Sequence, residues 1–253
     1  RKVLAAVGLN VPAQRVAGEV DADEAFLREH GRIVVKPARG EQGNAVSVDI
    51  TEPADMVAAI EAAARTGAQV VLEAFAEGED LRIVLIDYQV VAAALRRPAE
   101  ITGDGQHDIR TLIEKQSRRR AAATGGESRI PLDGETSRCI VRQGHALEDV
   151  LPLGETLRVR DTANLHTGGT LHDVTDSLSP ALRAVAERAA RALGIPVVGL
   201  DLLVPDPAGD EYVIIEANER PGLANHEPQP TAERFVDFLF PQTVQVNDDA
   251  TVD

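Results

Sequence analysis

The sequence is poor in cysteine, in aromatic residues and in long apolar runs. Among 253 residues there is one cysteine, one methionine and no tryptophan, and aromatic residues make up 3%. A single cysteine excludes an intrachain disulfide and a cysteine-rich metal site. No apolar run approaches the roughly 20 residues that a membrane-spanning helix needs, and no signal-peptide pattern opens the chain. We therefore expect a soluble, cytoplasmic protein that has no membrane partner.

Positive charge is also scarce. The chain has 26 Lys and Arg against 41 Asp and Glu, which gives a formal net charge of −15 and a pI near 4.8. Nucleic-acid binding needs a basic surface that displaces counterions, so we expect no nucleic-acid partner. With 43% hydrophobic residues, the composition is typical of a globular protein. The length suits one large domain or two small ones packed together.

The two ends of the chain differ from its middle. Residues 1–20 begin with helical turns that stop at Gly8 and have no capping residue before them, so we expect the end of an upstream segment entering the fold. Residues 241–253 are short, polar and acidic, and are expected to form a flexible tail. The sequence is compatible with a homo-oligomer.

Residues 21–80 have the pattern of a small mixed lobe. Two short apolar runs, 32–36 and 45–49, predict strands joined by a loop that contains glycines. Apolar residues with helical spacing predict a helix over 53–66, and a further strand is predicted over 69–75. Strands that bracket one helix are typical of the α+β class.

Residues 81–240 have the pattern of a larger lobe. A hairpin is predicted around Asp87-Tyr88, and helices are predicted over 108–123 and from Pro180 to Leu193, the second capped by Ser179. Two apolar strands, 197–204 and 211–217, are predicted to follow that helix.

Three side chains with oxygen atoms lie in or directly after those two strands. Glu216 and Asn218 are two residues apart, so they project from one face of a strand, and Asp201 can approach that face if the strands pair as a hairpin. Two carboxylates and an amide oxygen suit Mg²⁺, which also keeps waters and bridges substrate phosphates. The alternative is a strand end whose acidic residues are simply solvated.

The glycine-containing loop after the first strand could bind phosphate. Lys36 ends the strand, and Gly40 and Gly43 follow in the loop. Such a loop can place backbone amides over phosphates with the lysine as a point charge, although most loops of this kind are plain turns.

Several segments resemble the ATP-grasp ligases, and the resemblance extends from Lys2 to about Phe240. The nucleotide-binding segments of that family are similar to 34–43 (VVKPARGEQG), 72–82 (LEAFAEGEDLR), 199–203 (GLDLL) and 215–222 (IEANERPG). Within the superfamily, 102–107 (TGDGQH) and 162–169 (TANLHTGG) resemble the branch of cyanophycin synthetase and the bifunctional glutathione synthetases. Segments 114–129 and 218–230 resemble the N-acetylglutaminylglutamine synthetase family.

The resemblance implies an ATP-grasp fold in which two lobes grip one nucleotide between antiparallel sheets. It implies ATP and Mg²⁺, for which Mn²⁺ could substitute, as cofactors. The implied ATP-binding residues, with Glu73 on the adenine amino group and Asp80 on the ribose, are Lys36, Gly40, Gly43, Glu73, Phe75 and Asp80. The implied metal ligands are Asp201, Glu216 and Asn218. The residues implied to meet the γ-phosphate or the activated carboxylate are Arg160, Asn164 and Arg220.

The activity implied is that of an ADP-forming carboxylate–amine ligase that makes a peptide-type bond through an acyl phosphate. The substrates would be amino acids or dipeptides, with N-acetylglutaminylglutamine as the expected product and osmolyte biosynthesis as the expected role. The family also implies an upstream acetyltransferase domain and a second phosphate-binding lysine before Arg1. Alternatives are a cyanophycin- or glutathione-synthetase-like substrate, a small-molecule kinase on the same fold, and a nucleotide-binding module without chemistry.

Two further sets of residues stay open from the sequence. The catalytic base is not identifiable, and the candidates are His107, His166, His172 and Glu219. The basic run 118–120 is either a solvated helix face or a clamp for substrate carboxylates.

Overall fold

The structure, a computed structural model, describes residues 1–38, 45–223, 226 and 228–243. Within those ranges, no helix combines the length and the apolar character that a membrane crossing requires. The predicted glycine loop lies outside the described residues, as does most of the predicted tail.

Helices and strands alternate along the chain as the sequence patterns indicate. The described helices are α1 (Lys2–Ala6), α2 (Val20–His30), α3 (Pro53–Ala64), α4 (Ile109–Ala123), α5 (Gly134–Arg142), α6 (Pro180–Leu193) and α7 (Thr231–Leu239), with 3₁₀ turns at Leu165–Thr167 and Pro241–Thr243. The described strands are β1 (Gln14–Val16), β2 (Ile33–Pro37), β3 (Ser47–Ile50), β4 (Val70–Ala74), β5 (Glu79–Ile86), β6 (Gln89–Arg97), β7 (Glu100–Thr102), β8 (Thr156–Arg158), β9 (Thr170–Asp173), β10 (Val198–Val204) and β11 (Val213–Asn218).

Packing groups the chain into two compact units. The first consists of 1–10, 81–95 and 173–253, and the second of 11–80 and 96–172. This grouping differs from the division into a small lobe over 21–80 and a large lobe over 81–240. That division, with its entering segment over 1–20, stays a prediction.

The second unit contains a four-stranded antiparallel sheet in the order β1-β4-β2-β3. Alternate residues of β2 face a core formed with α2 and α3: Ile33 and Val35 are fully buried there, and Met56 of α3 packs in the same cluster. Because side chains alternate along a strand, Lys36 projects from the opposite face of the sheet.

A second core in the same unit is built around α4. Its members are Ile101, Ile109, Leu112, Ile113, Ile130, Ile140, Leu151, Leu157 and Val159, together with Ala99. Helix α5 contributes Ile140 and begins at Asp133, whose carboxylate accepts hydrogen bonds from the backbone N–H groups of Glu135 and Thr136. The sequence analysis did not identify α5, although an aspartate N-cap of this kind is a recognised helix signal.

The first unit contains strands in the order β11-β10-β5-β6. The predicted turn between β5 and β6 is confirmed, with positive φ angles of 52° at Asp87 and 61° at Tyr88, as a two-residue hairpin turn of the primed type requires. Helix α6 is also confirmed: the Ser179 hydroxyl accepts from Leu182 N–H at 3.1 Å, and Gly194 ends the helix at φ 70°.

The beginning of the chain packs against the last strand of this unit. The guanidinium of Arg1 donates to the carbonyl of Ile215, and the Ile214 N–H donates to the carbonyl of Asn10 at 2.9 Å. The Asn10 side chain donates to the carbonyl of Tyr212 at 2.7 Å. Residues 1–10 are therefore held by partners more than 200 positions away in sequence.

Candidate active site

Two carboxylates lie directly opposite each other on β10 and β11. The two strands pair antiparallel, which is the condition for Asp201 to approach Glu216 and Asn218: Asp201 is the register partner of Glu216, and Gly199 is the partner of Asn218. Directly opposed residues of an antiparallel pair project from the same face. The structure therefore brings Asp201, Glu216 and Asn218 together on one face of the sheet, as the spacing of the residues predicts.

An arginine that the sequence analysis did not single out joins this face. Arg82 of β5 places its Nε 3.1 Å from Oδ1 of Asp201. Both side chains are largely buried, with exposed fractions of 15% and 9%. A buried carboxylate is costly without a compensating charge, and the guanidinium of Arg82 supplies one here.

Gly199 explains how Arg82 reaches that position. A Cβ atom added at Gly199 would lie 2.5 Å from Nη1 of Arg82 and 3.0 Å from Cβ of Pro221. The guanidinium therefore occupies the space above Gly199, between β5 and the row of polar side chains on β11. The signal in the sequence was the glycine inside an otherwise apolar strand, a pattern typical of close approach by another group.

The donor set on this face fits a hard divalent cation. Two carboxylates and an amide oxygen are the ligand types that Mg²⁺ prefers, and Glu216 is exposed. Within the described ranges, no group of three or more His, Cys, Asp and Glu side chains is close enough to hold a metal by itself. A cation here would complete its coordination with water and substrate oxygens, which is the usual behaviour of Mg²⁺.

Two of the predicted nucleotide-binding residues form an ion pair in the second unit. Lys36 Nζ lies 2.8 Å from Oε2 of Glu73. Val34 is the register partner of Glu73, and Lys36 lies two residues beyond Val34 on the same face of its strand. Lys36 and Glu73 therefore project from the same face of adjacent strands, which allows the pair to form. The Glu73 side chain is nearly inaccessible, at 3% exposed, whereas that of Lys36 is 23% exposed.

The other two described nucleotide-site residues are each held by an arginine. Oδ1 of Asp80 accepts from Nε and Nη2 of Arg96, at 3.0 and 2.7 Å. The guanidinium of Arg32 stacks 4.1 Å from the ring centre of Phe75. Neither arginine was predictable from the sequence, because Arg96 and Arg32 are 16 and 43 residues away from their partners. Gly40 and Gly43 lie outside the described residues.

Arg160 is buried and already paired. It is 4% exposed, and its guanidinium donates to Asp133 and to Glu135, each at 2.6 Å, and to Thr136 at 3.1 Å. Burial is the largest influence on the pKa of Asp133 and raises it, but the hydrogen bond and charge of Arg160, together with the backbone N–H groups of Thr136 and Glu135, make the net shift downward. The side chain therefore fastens the first turn of α5 to the segment that follows β8.

The remaining two residues of the predicted catalytic set lie in loops. Asn164 caps a 3₁₀ turn: its Oδ1 accepts from His166 N–H at 2.9 Å, and its carbonyl accepts from Gly169 N–H at 2.8 Å. Arg220 is exposed in the bend after β11. Arg160 and Asn164 belong to the second unit, and Arg220 belongs to the first.

Among the candidate bases, His107 has both ring nitrogens engaged. Its Nδ1 lies 2.7 Å from Oδ2 of Asp104, and its Nε2 lies 3.0 Å from Lys115 Nζ. Lys115 Nζ lies at a similar distance, 3.2 Å, from Nδ1. His107, His166, His172 and Glu219 all stay candidates for the base.

Comparison with known proteins identifies the family of these segments. The profile of the prokaryotic glutathione synthetase ATP-grasp domain matches residues 4–129. Cyanophycin synthetase of Trichormus variabilis is 33% identical over 256 residues, covering 95% of this chain and 28% of that protein. The glutathione biosynthesis bifunctional protein of Streptococcus mutans is 32% identical over 244 residues, covering 89% of this chain and 32% of that protein.

Solved structures show the same fold. The bifunctional glutathione synthetase of Pasteurella multocida superimposes with a TM-score of 0.62 at 23% identity, covering 95% of this chain and 36% of that chain. D-alanine–D-alanine ligase of Bacillus anthracis, solved in complex with ATP, gives a TM-score of 0.54 at 16% identity, with 94% and 61% covered. The chain thus spans about a third or less of the length of the curated relatives it matches.

Proposed function

Because this chain belongs to the ATP-grasp superfamily, we propose that it is an ADP-forming ligase that joins a carboxylate to an amine at the expense of ATP. The observation that carries the proposal is the face shared by Asp201, Glu216 and Asn218, with Arg82 reaching across Gly199 to join it. A site of this composition suits a reaction that must neutralise a triphosphate.

The chemistry divides into two steps. Transfer of the γ-phosphoryl group to the substrate carboxylate gives an acyl phosphate and ADP. The amine then attacks the acyl carbon, and inorganic phosphate leaves as the C–N bond forms and the amine loses a proton. The first step brings a carboxylate anion against a triphosphate, so cationic groups that stabilise the transferred phosphoryl group supply most of the catalysis, and no enzyme nucleophile is needed.

The residues on the β10–β11 face would hold the cation. Asp201, Glu216 and Asn218 would bind Mg²⁺, or Mn²⁺ with the same oxygen donors, and the bound cation supplies charge neutralisation on the phosphate oxygens. Arg82 pairs with Oδ1 of Asp201 on the same face. Arg220 lies two residues beyond Asn218 and would supply a further positive charge.

The residues of the second unit would hold the nucleotide. Lys36 would donate to ATP phosphates, and Glu73 would accept from the adenine amino group. Phe75 would contact the base, and Asp80, oriented by Arg96, would accept from the ribose hydroxyls. Gly40 and Gly43 would close over the phosphates. Arg160 and Asn164 would meet the γ-phosphate or the activated carboxylate, which for Arg160 requires one of its present carboxylate partners to be exchanged for substrate.

The substrates we propose are N-acetylglutamine as the acid and glutamine as the amine, which would make the product an osmolyte dipeptide. Segments 114–129 and 218–230 support this choice by their resemblance to N-acetylglutaminylglutamine synthetase. The alternative substrates are those of the cyanophycin and glutathione synthetases, which the sequence relatives favour. We also propose that the working protein has an upstream domain and that its two functional lobes are 21–80 and 81–240.

The test is ADP release from MgATP across a matrix of acids and amines, with N-acetylglutamine and glutamine included. Ligase activity requires ADP release that depends on both substrates and is lost in Glu216→Gln. The matched control is Glu211→Gln, an exposed glutamate just before the same strand, which should behave as the wild type.

The other outcomes separate the alternatives. ADP and a phosphorylated product formed without any amine would identify a kinase on this fold. Tight MgATP binding by calorimetry without turnover for any pair would identify a nucleotide-binding module. Absence of MgATP binding would overturn the proposal.

A further inference from the structure

Arg120 is a half-buried cation without a matching anion. It lies in the last turn of α4, and burial lowers the pKa of its guanidinium. Among the residues that the structure describes, its one hydrogen bond runs from Nη1 to the carbonyl of Gly169 at 3.0 Å, and no carboxylate forms an ion pair with it. Its Nε–H is buried and has no partner within the same residues.

The two neighbouring arginines, by contrast, are exposed to solvent. Arg118 is exposed and lies 3.9 Å from Glu114 on the preceding turn, and Arg119 is exposed. Those side chains can be solvated at little cost, whereas a covered donor without a partner is destabilising. In a chain of net charge −15, a partly desolvated arginine that has no acidic neighbour indicates a position kept for an external anion.

Hydrogen bonds join the end of α4, where Arg120 lies, to the segments that follow it. Thr124 donates from its hydroxyl to the Arg120 carbonyl at 2.9 Å and accepts from Ser128 N–H at 3.0 Å. Ser128 donates in turn to the Leu165 carbonyl at 2.6 Å, and Arg129 N–H donates to the His166 carbonyl at 3.0 Å. These bonds join the end of α4 and the segment 124–129 to the loop 162–170.

That loop also contains Asn164, one of the residues placed above at the reacting carboxylate. The link is short: Arg120 donates to the Gly169 carbonyl, and Gly169 N–H donates to the Asn164 carbonyl at 2.8 Å. Gly169 is required here, since a Cβ at this position would come within 2.8 Å of the Asn164 carbonyl oxygen. Arg120 and Asn164 are therefore coupled through one residue.

We propose that Arg120 binds the free carboxylate of the amine substrate, a role that rests on the ligase function proposed above. Its Nη1 donates to Gly169 and its Nε is covered, so Nη2 is the nitrogen left to donate to a carboxylate. The carboxylate of the acid substrate reacts and becomes an acyl phosphate, whereas the carboxylate of an amino-acid amine takes no part in the reaction and stays anionic throughout. A fixed cation can therefore hold this second carboxylate in both steps.

The experiment compares the amine substrate with its α-carboxamide, which lacks the negative charge. Glutamine and glutamine α-carboxamide are assayed by ADP release at saturating MgATP and N-acetylglutamine, in wild type and in Arg120→Gln. We expect Arg120→Gln to raise KM for glutamine roughly 10- to 100-fold, as loss of a charge-assisted hydrogen bond implies, and to leave KM for the carboxamide unchanged. Arg119→Gln, one residue away and exposed, is the matched control and should behave as the wild type. Arg120→Lys, which keeps the charge but not the fork, should fall between.

Binding measurements keep the inference separate from the proposed function. Calorimetry with MgADP and with glutamine on each variant should show weakened glutamine binding and unchanged MgADP binding. Weakened MgADP binding in Arg120→Gln would assign the anion to a phosphate and overturn the carboxylate role. An equal increase in KM for glutamine and for its carboxamide would overturn it too. A preferred amine substrate that has no carboxylate would have the same consequence. Absence of MgATP binding and turnover in the wild type would instead be a failure of the ligase proposal. If Arg120→Gln does not fold, Arg120→Lys is used instead, and the ratio of KM for glutamine to KM for its carboxamide is compared with the wild type. An unchanged ratio overturns the role.

Discussion

The guanidinium of Arg82 lies over Gly199, so that a Cβ added to the glycine would come to 2.5 Å from Nη1. The same guanidinium is paired with Asp201 at 3.1 Å. Gly199 and the ion pair are thus one structural device: the missing side chain on β10 is what allows an arginine of β5 to reach the acidic face.

Gly199→Ala should therefore act through Arg82. We expect the added methyl group to displace the guanidinium, weaken its pairing with Asp201 and lower the free energy of unfolding by about 1 to 3 kcal/mol. Urea denaturation measures this change. The decisive comparison is non-additivity: Arg82→Ala should cost less in the Gly199→Ala background than in the wild type. Simple addition of the two effects would show that the glycine serves another purpose.

Gly103→Ala should be among the more destabilising glycine substitutions. A Cβ at this position would collide with the carbonyl oxygen of Pro152 and come within 2.9 Å of that of Leu151, and backbone atoms cannot move aside cheaply. We expect a loss of about 2 kcal/mol or more in unfolding free energy, as for other cases of overpacking. Gly18→Ala is the control, because nothing lies within 4 Å of the added atom there and φ is not positive. Similar stability for both variants would contradict the prediction.

Cys139 should be unreactive in the folded protein. Burial, and after it the charge of Asp161, raises the pKa of the thiol to about 11. At pH 8 about one thiol in a thousand would then be ionised, and the thiolate is the reactive form. An aromatic disulfide reagent should label the native protein slowly and the urea-unfolded protein within seconds. Rapid, complete labelling of the native protein would be inconsistent with this environment.

Asp104 should titrate near pH 2. The backbone N–H of His107, and further bonds from Gln106 and the His107 ring, lower the pKa of this carboxyl from 3.8 to about 2. Because the pKa is depressed in the folded state, the stabilisation is present above about pH 4 and is lost as the pH falls to about 2. The amide shifts of Gln106 and His107, followed by NMR, should move with a midpoint near 2, and the movement should vanish in Asp104→Asn. A midpoint near 4 would show that these bonds do not form in solution.

Periodicity and capping predicted the regular part of the fold. Helix α6 has a serine cap, a proline in its first turn and a glycine at its end. These local signals and the apolar spacing that includes the buried Leu182 predict the same helix. The β5–β6 turn was likewise predictable from the sequence, because Asp87 and Tyr88 separate two apolar runs. Helix α5 was not identified, since its nine residues carry only a short apolar stripe that includes Cys139 and Ile140.

The candidate site was predictable only within a strand pair. Glu216 and Asn218 share a face by the period of a strand, and Asp201 meets them once the hairpin forms. The arginines that hold predicted site residues were not predictable, because Arg82 and Asp201 are 119 residues apart and no local pattern joins them. Which charge reaches which carboxylate is settled by tertiary packing.

Residues 1–10 are synthesised long before the strand that holds them. Asn10 hydrogen-bonds Tyr212, 202 positions later, and a ribosome adds about 5 to 20 residues per second. Asn10 therefore waits roughly 10 to 40 seconds during translation before its partner exists. Over that interval the opening helix must stay soluble on its own or be shielded by a chaperone, so β11 sets the earliest moment at which the first unit can close.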